Sequence, residues 1–395
     1  MKTFLIDREK EYSYHTLLAD INRATVYYPL CNPVSLYHYL LNILIAMVSH
    51  KPLVLDDSDN SSVLAPVPVD PLHFNAIDEV IAAVQCSASS VTIFTSGTTG
   101  QPKKVVHTIE TLGRAVRTGP LYHDQVWAFA YNPTHMAGLQ VFFQAFLNIN
   151  TLVNVFNASR HYVYRAIEEH QITHISATPT FYRLLLPVES AFPAVRRVTL
   201  GGERSDQKLY DSILQIFPQA KITNVYASTE AGTLFAASGD SFQIPAGILN
   251  RVKIEDDELL IHKSLLGQSS QFAFCGDYYR TGDMVEWINK EQGLFRINSR
   301  KNELINVGGY KVNPADVETA ILQLPDILQA VVYGQQNSVL GNILCAEVKL
   351  MANSPLTELD IRVDLAGRLQ DFKIPRKIKL VDSITLTRTG KIKRL

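Results

Sequence analysis

The 395-residue chain is poor in cysteine, with four in total. Cys31, Cys86, Cys275 and Cys345 lie far apart and without C-x-x-C spacing, which excludes a zinc ribbon and a disulfide framework and suits a reducing cytoplasm. A surplus of charge is missing too. Lys+Arg 37 against Asp+Glu 38 leaves a net charge of -1, so no field draws the chain to nucleic acid or to an anionic membrane. The most apolar stretch, Tyr37 to Val48, is too short to span a bilayer and runs into His50 and Lys51. No basic-then-apolar leader is seen, no internal repeat, and no G-x-x-x-x-G-K-[S/T] phosphate loop. With 46% hydrophobic and 19% charged residues, what remains is an ordinary globular chain long enough for a large domain and a smaller one, with a small molecule as the expected partner.

What is present begins with Thr95-Ser96-Gly97-Thr98-Thr99-Gly100-Gln101-Pro102-Lys103, directly behind the apolar run Val91 to Phe94. A strand would fix one end, glycines would let backbone N–H groups approach an anion, hydroxyls would add donors and Lys103 positive charge. It reads as a phosphate-gripping loop. His107, just past it, reads as a packing residue.

Short apolar runs at Thr151 to Phe156, His174 to Ala177, Arg197 to Leu200 and Ile222 to Tyr226 alternate with helix-like segments, which predicts a mixed α/β layer structure. Composition shifts at Asn298-Ser299-Arg300-Lys301-Asn302, a polar connector that sets the expected boundary between a domain of residues 1–300 and one of 301–395. Beyond it, Asn313-Pro314-Ala315-Asp316 starts a helix with a capping side chain, proline at the first position and an acid at the positive dipole end. Val317, Ala320, Ile321 and Leu324 then mark one apolar face. With strands at Val331 to Tyr333 and Ile343 to Leu350 and a helix from Thr357 to Leu369, the second unit is expected to be a small mobile α+β domain.

Taken in order from Thr95 to Lys391, the phosphate loop and the segments that follow it resemble the adenylate-forming superfamily of acyl-CoA synthetases, peptide-synthetase adenylation domains and luciferases, closest in character to compact aryl- or acyl-CoA ligases. Asn132-Pro133-Thr134-His135-Met136-Ala137-Gly138 is similar to the segment beside the acyl pocket. Gly201-Gly202-Glu203 and Asn224-Val225-Tyr226-Ala227-Ser228-Thr229-Glu230 are similar to those that hold adenine. The resemblance makes Tyr226 the stacking face, Asn224 the reader of the exocyclic amine, Thr229 a contact to the α-phosphate and Glu230 the Mg²⁺ ligand, a carboxylate being what a hard cation takes. Tyr279-Arg280-Thr281-Gly282-Asp283 supplies a carboxylate for the ribose hydroxyls. Ser299-Arg300-Lys301-Asn302 supplies an arginine for ribose or phosphate and a hinge at Asn302. Gly308-Gly309-Tyr310-Lys311 resembles the loop lining the thiol tunnel, and Thr385-Leu386-Thr387-Arg388-Thr389-Gly390-Lys391 carries the lysine that bridges carboxylate and α-phosphate.

The resemblance implies ATP, Mg²⁺ and coenzyme A, or the phosphopantetheine of a separate carrier protein. The implied reaction makes an acyl-adenylate and then a thioester, with His135, Thr229, Glu230 and Lys391 at the chemistry and rotation of the second domain between the steps. The pattern is broken at Ser299, Asn302, Thr385 and Ala227, and the segment before the phosphate loop is shorter than in most relatives. A nucleotide-binding protein without turnover is the alternative that Asn302 and Thr385 leave open. Where adenylation domains for α-amino acids place an aspartate, Met136 stands, and it cannot offset a buried ammonium. Met136, Leu139, Phe181, Val225 and Ala227, with His135, are expected to line an apolar slot for an aryl or aliphatic acid.

Overall fold

The computed structural model describes residues 2–31, 35–56, 64–95, 103–337, 341–387 and 391–392. Its largest sheet has eight strands in the order Gly232–Ala237, Lys221–Ser228, Arg197–Gly201, His174–Ala177, Val126–Phe129, Thr151–Asn154, Thr3–Asp7 and Lys10–Ser13. The inner six run parallel and each edge strand is antiparallel. Parallel strands need crossovers, and the helices Arg160–Glu169, Pro179–Leu184 and Gln207–Ile216 supply them. These helices pack Val163, Ile167, Tyr182, Ile213 and Ile216 on the sheet face that presents Ile175, Val198 and Leu200.

A four-stranded sheet, Leu30–Cys31, Leu53–Leu55, Val91–Thr95 and Lys103–His107, falls in the chain between the large sheet's two N-terminal strands and its other six. The apolar stretch near residue 40 becomes the helix Leu36–Val48, almost wholly buried in the core that this sheet shares with the helix Met136–Phe146. Among the described residues no helix is long and apolar enough to cross a membrane, and all four cysteines are free.

A six-stranded sheet built around Tyr278–Asn289 and Leu294–Arg300 follows. Asn298, Ser299 and Arg300, read from composition as connector, are the end of its strand, and register sets Arg300 directly opposite Asp283. Polar residues at a cleft edge look like linker in a sequence although they hydrogen-bond as sheet.

The smaller C-terminal domain is a separate sheet of Tyr310–Val312, Ile305–Val307, Gly341–Leu350, Ile327–Asn337 and Lys377–Leu380, covered by the helices Pro314–Leu322 and Glu358–Ala366. Asn313 caps the first as its sequence predicts, accepting from the Ala315 N–H at 3.1 Å. Thr357 and Asp360 close a reciprocal cap on the second. The fold is thus mixed α/β with a large N-terminal and a small C-terminal domain.

Candidate active site

In open parallel sheets, ligands collect beyond the carboxyl ends of the strands. Here those ends open into a cleft of about 1920 Å³, bounded on its far side by the C-terminal domain. Single small-molecule pockets run roughly 300–1,000 Å³, so two substrates have room together.

Gly201 and Gly202 end the strand Arg197–Gly201 at the cleft floor. A Cβ on Gly201 would lie 2.7 Å from the Val225 side chain, and Gly202 has φ +84°. A Cβ on Gly202 would meet Lys391 at 3.1 Å from Cε and 3.3 Å from Nζ, so the lysine from the chain's end lies against this turn. Burial lowers the Lys391 pKa, and the Glu203 carboxylate pulls it back up. Glu203 also accepts from the Thr180 N–H at 2.9 Å and the Ile392 N–H at 3.3 Å, tying the lysine's segment to the large domain.

On the cleft wall, Tyr226 donates its hydroxyl to Asp283 at 2.5 Å and Arg300 donates Nε to the other carboxylate oxygen at 2.8 Å. Asp283 is 4% exposed, and a buried carboxylate needs such partners. Its charge raises the Arg300 pKa, while burial and then Asp283 raise that of Tyr226. The Tyr226 ring stacks on Phe235 at 5.3 Å and 22°. Asn224 donates Nδ2 to the Gly239 carbonyl at 3.1 Å, and its Oδ1 makes no hydrogen bond to a described residue. An acceptor at the cleft is what an exocyclic amine needs.

Thr229 and Glu230 line the cleft beside Tyr226. The Glu230 carbonyl accepts from the Gly267 N–H at 2.8 Å, and its carboxylate makes no hydrogen bond to a described residue. His135 and Met136 line the cleft at the start of the helix Met136–Phe146, where an Asn132 turn approaches so closely that a Cβ on Gly138 would collide with the Asn132 carbonyl oxygen. Val225, Ala227 and Asn302 also line it.

The structure corrects two pocket expectations. Leu139 is 0% exposed and faces the core, because on this helix it points away from the stripe of Ala137, Gln140, Val141 and Gln144 that lines the cleft. Phe181 packs edge-on against Tyr182 and does not reach the cleft. Gly308 and Gly309 form the turn between Ile305–Val307 and Tyr310–Val312, outside the cleft. Thr95 pairs in register with Lys103, which lines the cleft; Ser96, Gly97, Thr98 and Thr99 lie outside the described residues.

The sequence profile of the AMP-binding enzyme matches residues 47–261, and that of the AMP-binding enzyme C-terminal domain matches residues 316–391. The chain belongs to the AMP-binding enzyme family. A 2-succinylbenzoate–CoA ligase of Staphylococcus aureus (strain MRSA252) is 27% identical over 330 residues, covering 76% of this chain. That alignment spans only 65% of the relative's own length. A 2-succinylbenzoate–CoA ligase of Bacillus licheniformis is 24% identical over 344 residues, 80% of this chain and 70% of the relative. Among solved structures, o-succinylbenzoate CoA synthetase from Bacillus subtilis with its acyl-adenylate intermediate superposes with a TM-score of 0.72 at 18% identity, covering 99% of this chain and 94% of that one. ATP-bound MatB from Rhodopseudomonas palustris gives 0.73 at 15%, with the same coverage. Both share the fold.

His107, read from the sequence as a packing residue, is 1% exposed, and its ring also bonds the Thr229 carbonyl. Sequence reasoning missed that bond and the contacts between the two domains. Arg204 pairs with Asp316 at 2.7 Å, and Lys208 donates to the Leu322 and Leu324 carbonyls at 2.7 and 2.8 Å, joining the two domains. The alternation along Lys103–His107 turns Val105 and His107 inward, a signal available in sequence; the partners, a hundred residues away, are not.

Proposed function

We propose that this protein activates a carboxylic acid with ATP, forming an acyl-adenylate and pyrophosphate, and then transfers the acyl group to the thiol of coenzyme A. The observation that carries the proposal is the Lys391 ammonium lying in the cleft against Gly202, on the same cleft as the Tyr226–Asp283–Arg300 cluster. The names of the curated relatives support an aryl acid, and the Met136, Val225 and Ala227 side chains offer an aromatic ring apolar surface. Met136 stands where an ammonium would need a carboxylate, so an α-amino acid is disfavoured.

Tyr226 offers the adenine a ring face and Asn224 Oδ1 accepts from its amine. Asp283 accepts from the ribose hydroxyls, with Arg300 beside it. The loop from Thr95 to Lys103 grips the phosphates, Lys103 adding charge, with Thr229 at the α-phosphate. In the first step a carboxylate oxygen attacks the α-phosphorus, and the bond to the pyrophosphate oxygen breaks as the new one forms. Lys391 holds the attacking oxygen and the α-phosphate together and offsets their charge. His135 lies at the acyl end. Glu230, which lines the cleft and whose carboxylate makes no hydrogen bond to a described residue, would hold a hard cation. Magnesium bound there would supply further neutralisation of phosphate charge. In the second step the thiol sulfur attacks the acyl carbon, its proton passes to solvent, and AMP leaves with the electron pair. Lys391 is not needed in that step, and rotation of the residue 301–395 domain about Asn302 withdraws it and brings Gly308 and Gly309 to the thiol.

Pyrophosphate exchange with a panel of aryl, short and long aliphatic acids tests the proposal, followed by thioester assays with coenzyme A and with a purified acyl carrier protein. Exchange with aryl acids and thioester on coenzyme A are expected. Thioester on the carrier alone would reassign the acceptor, and silence across the panel with ATP still bound would mean a nucleotide-binding protein without turnover.

A further inference from the structure

His107 touches neither the cleft nor any group given a role above except one, the backbone of Thr229. Its Nε2 lies 2.8 Å from the Thr229 carbonyl oxygen and its Nδ1 lies 3.1 Å from Thr111 Oγ1. A carbonyl oxygen can only accept, so the imidazole carries its proton on Nε2. The next two carbonyls are held as well: Glu230 by the Gly267 N–H at 2.8 Å, Ala231 by Arg114 Nη1 at 3.3 Å. Arg114 also donates to the Leu265 carbonyl at 2.7 Å, which binds the segment carrying Gly267 into the same unit. Gly267 leaves room for the ring, since a Cβ there would lie 2.5 Å from His107 Cε1.

We infer that His107 is a positioning residue: by holding the Thr229 carbonyl it fixes the Thr229–Glu230 peptide plane, and through it the directions in which the Thr229 hydroxyl and the Glu230 carboxylate meet the nucleotide phosphates and their cation. With three successive carbonyls tied down, that segment cannot turn without breaking a hydrogen bond that is at least partly shielded from water. His107 also ends the strand that begins at Lys103, so one rigid strand joins the phosphate loop's lysine to the Thr229–Glu230 turn. A histidine that merely filled space would not need a glycine opposite its ring or a donor aimed at this carbonyl.

The inference rests on the proposed roles of Thr229 and Glu230, and the test separates the two. Wild type, His107→Phe, His107→Gln and Gly267→Ala are titrated calorimetrically with MgATP and, separately, with adenosine, and the imidazole nitrogens are followed by NMR. Expected are an affinity for MgATP about ten- to a hundredfold lower in His107→Phe and Gly267→Ala, as for groups that orient metal ligands, and an unchanged affinity for adenosine. His107→Gln, which keeps a donor, recovers most of the loss, and the wild-type ring shows the neutral Nε2–H tautomer. Equal losses for adenosine and MgATP, a glutamine variant no better than the phenylalanine one, or an Nδ1–H tautomer would overturn the inference. If His107→Phe does not fold, His107→Gln and Gly267→Ala carry the comparison. If wild type binds neither ligand, the functional proposal fails, while the tautomer and the protection of the Gly267 amide against exchange still decide the clamp.

Discussion

At the scale of single residues, the cleft wall depends on one buried carboxylate with two donors. Tyr226→Phe removes the hydroxyl that bonds Asp283 and keeps the ring. A hydrogen bond to a charged group contributes about 1.5–3 kcal/mol, so the unfolding midpoint in denaturant is expected to fall by that equivalent while ATP still binds. A variant as stable as wild type would show that Arg300 alone satisfies Asp283. Gly202→Ala makes a sharper demand. At φ +84° an alanine is strained, and its methyl would press on the Lys391 amine. Misplacing a reacting group by about 1 Å can cost about a hundredfold. Adenylate formation in Gly202→Ala should fall by about that factor with thioester formation from a supplied acyl-adenylate preserved; parallel losses would mean that the methyl damages the cleft floor as a whole.

At the scale of elements, the local code was legible where the signal is short-ranged. Asn313-Pro314 announces its helix, and the strands at His174–Ala177 and Arg197–Gly201 stand almost where their apolar runs put them. Site segments were legible as motifs, and the cleft gathers Gly202, Tyr226, Thr229, Glu230, Asp283, Arg300 and Lys391. Long-range pairing was not. The register that faces Asp283 with Arg300 turned an apparent linker into strand, and helix rotation turned Leu139 to the core. The contacts between the large domain and the C-terminal domain are equally invisible in sequence. The Arg204–Asp316 pair is about one third exposed on each side, and such pairs contribute about 0–1 kcal/mol. Asp316→Ala is therefore expected to slow adenylate formation by no more than about fivefold, 1.4 kcal/mol being tenfold, and to leave thioester formation as fast or faster. Slowing of the thioester step instead would mean that these contacts belong to both arrangements of the domains.

At the scale of the whole molecule, pH reports how tightly the core holds its neutral histidines. Burial pushes His107 down to about 4, with Arg114 adding to the effect, and pushes His174 down to about 4, with Arg197 and Arg196 adding. Between the ordinary value of about 6.5 and those folded values the unfolded chain binds more protons. Stability present above pH 6.5 is therefore lost as pH falls through 4. For the fully buried His107 the loss is about 3 kcal/mol at 1.36 kcal/mol per unit. Denaturant unfolding at pH 7 and pH 4.5 measures it, and His107→Gln should flatten part of the slope. A stability independent of pH in that range would contradict the burial of these rings as neutral groups.

The central claim is that Lys391, reaching the cleft from the small domain, serves the first chemical step alone. Its direct test is to measure both half-reactions in Lys391→Ala: acid-dependent pyrophosphate exchange, and thioester formation from a supplied acyl-adenylate and coenzyme A. Exchange is predicted to fall by about a hundred- to a thousandfold with the thioester rate unchanged. Equal loss in both half-reactions, or undiminished exchange, would contradict it.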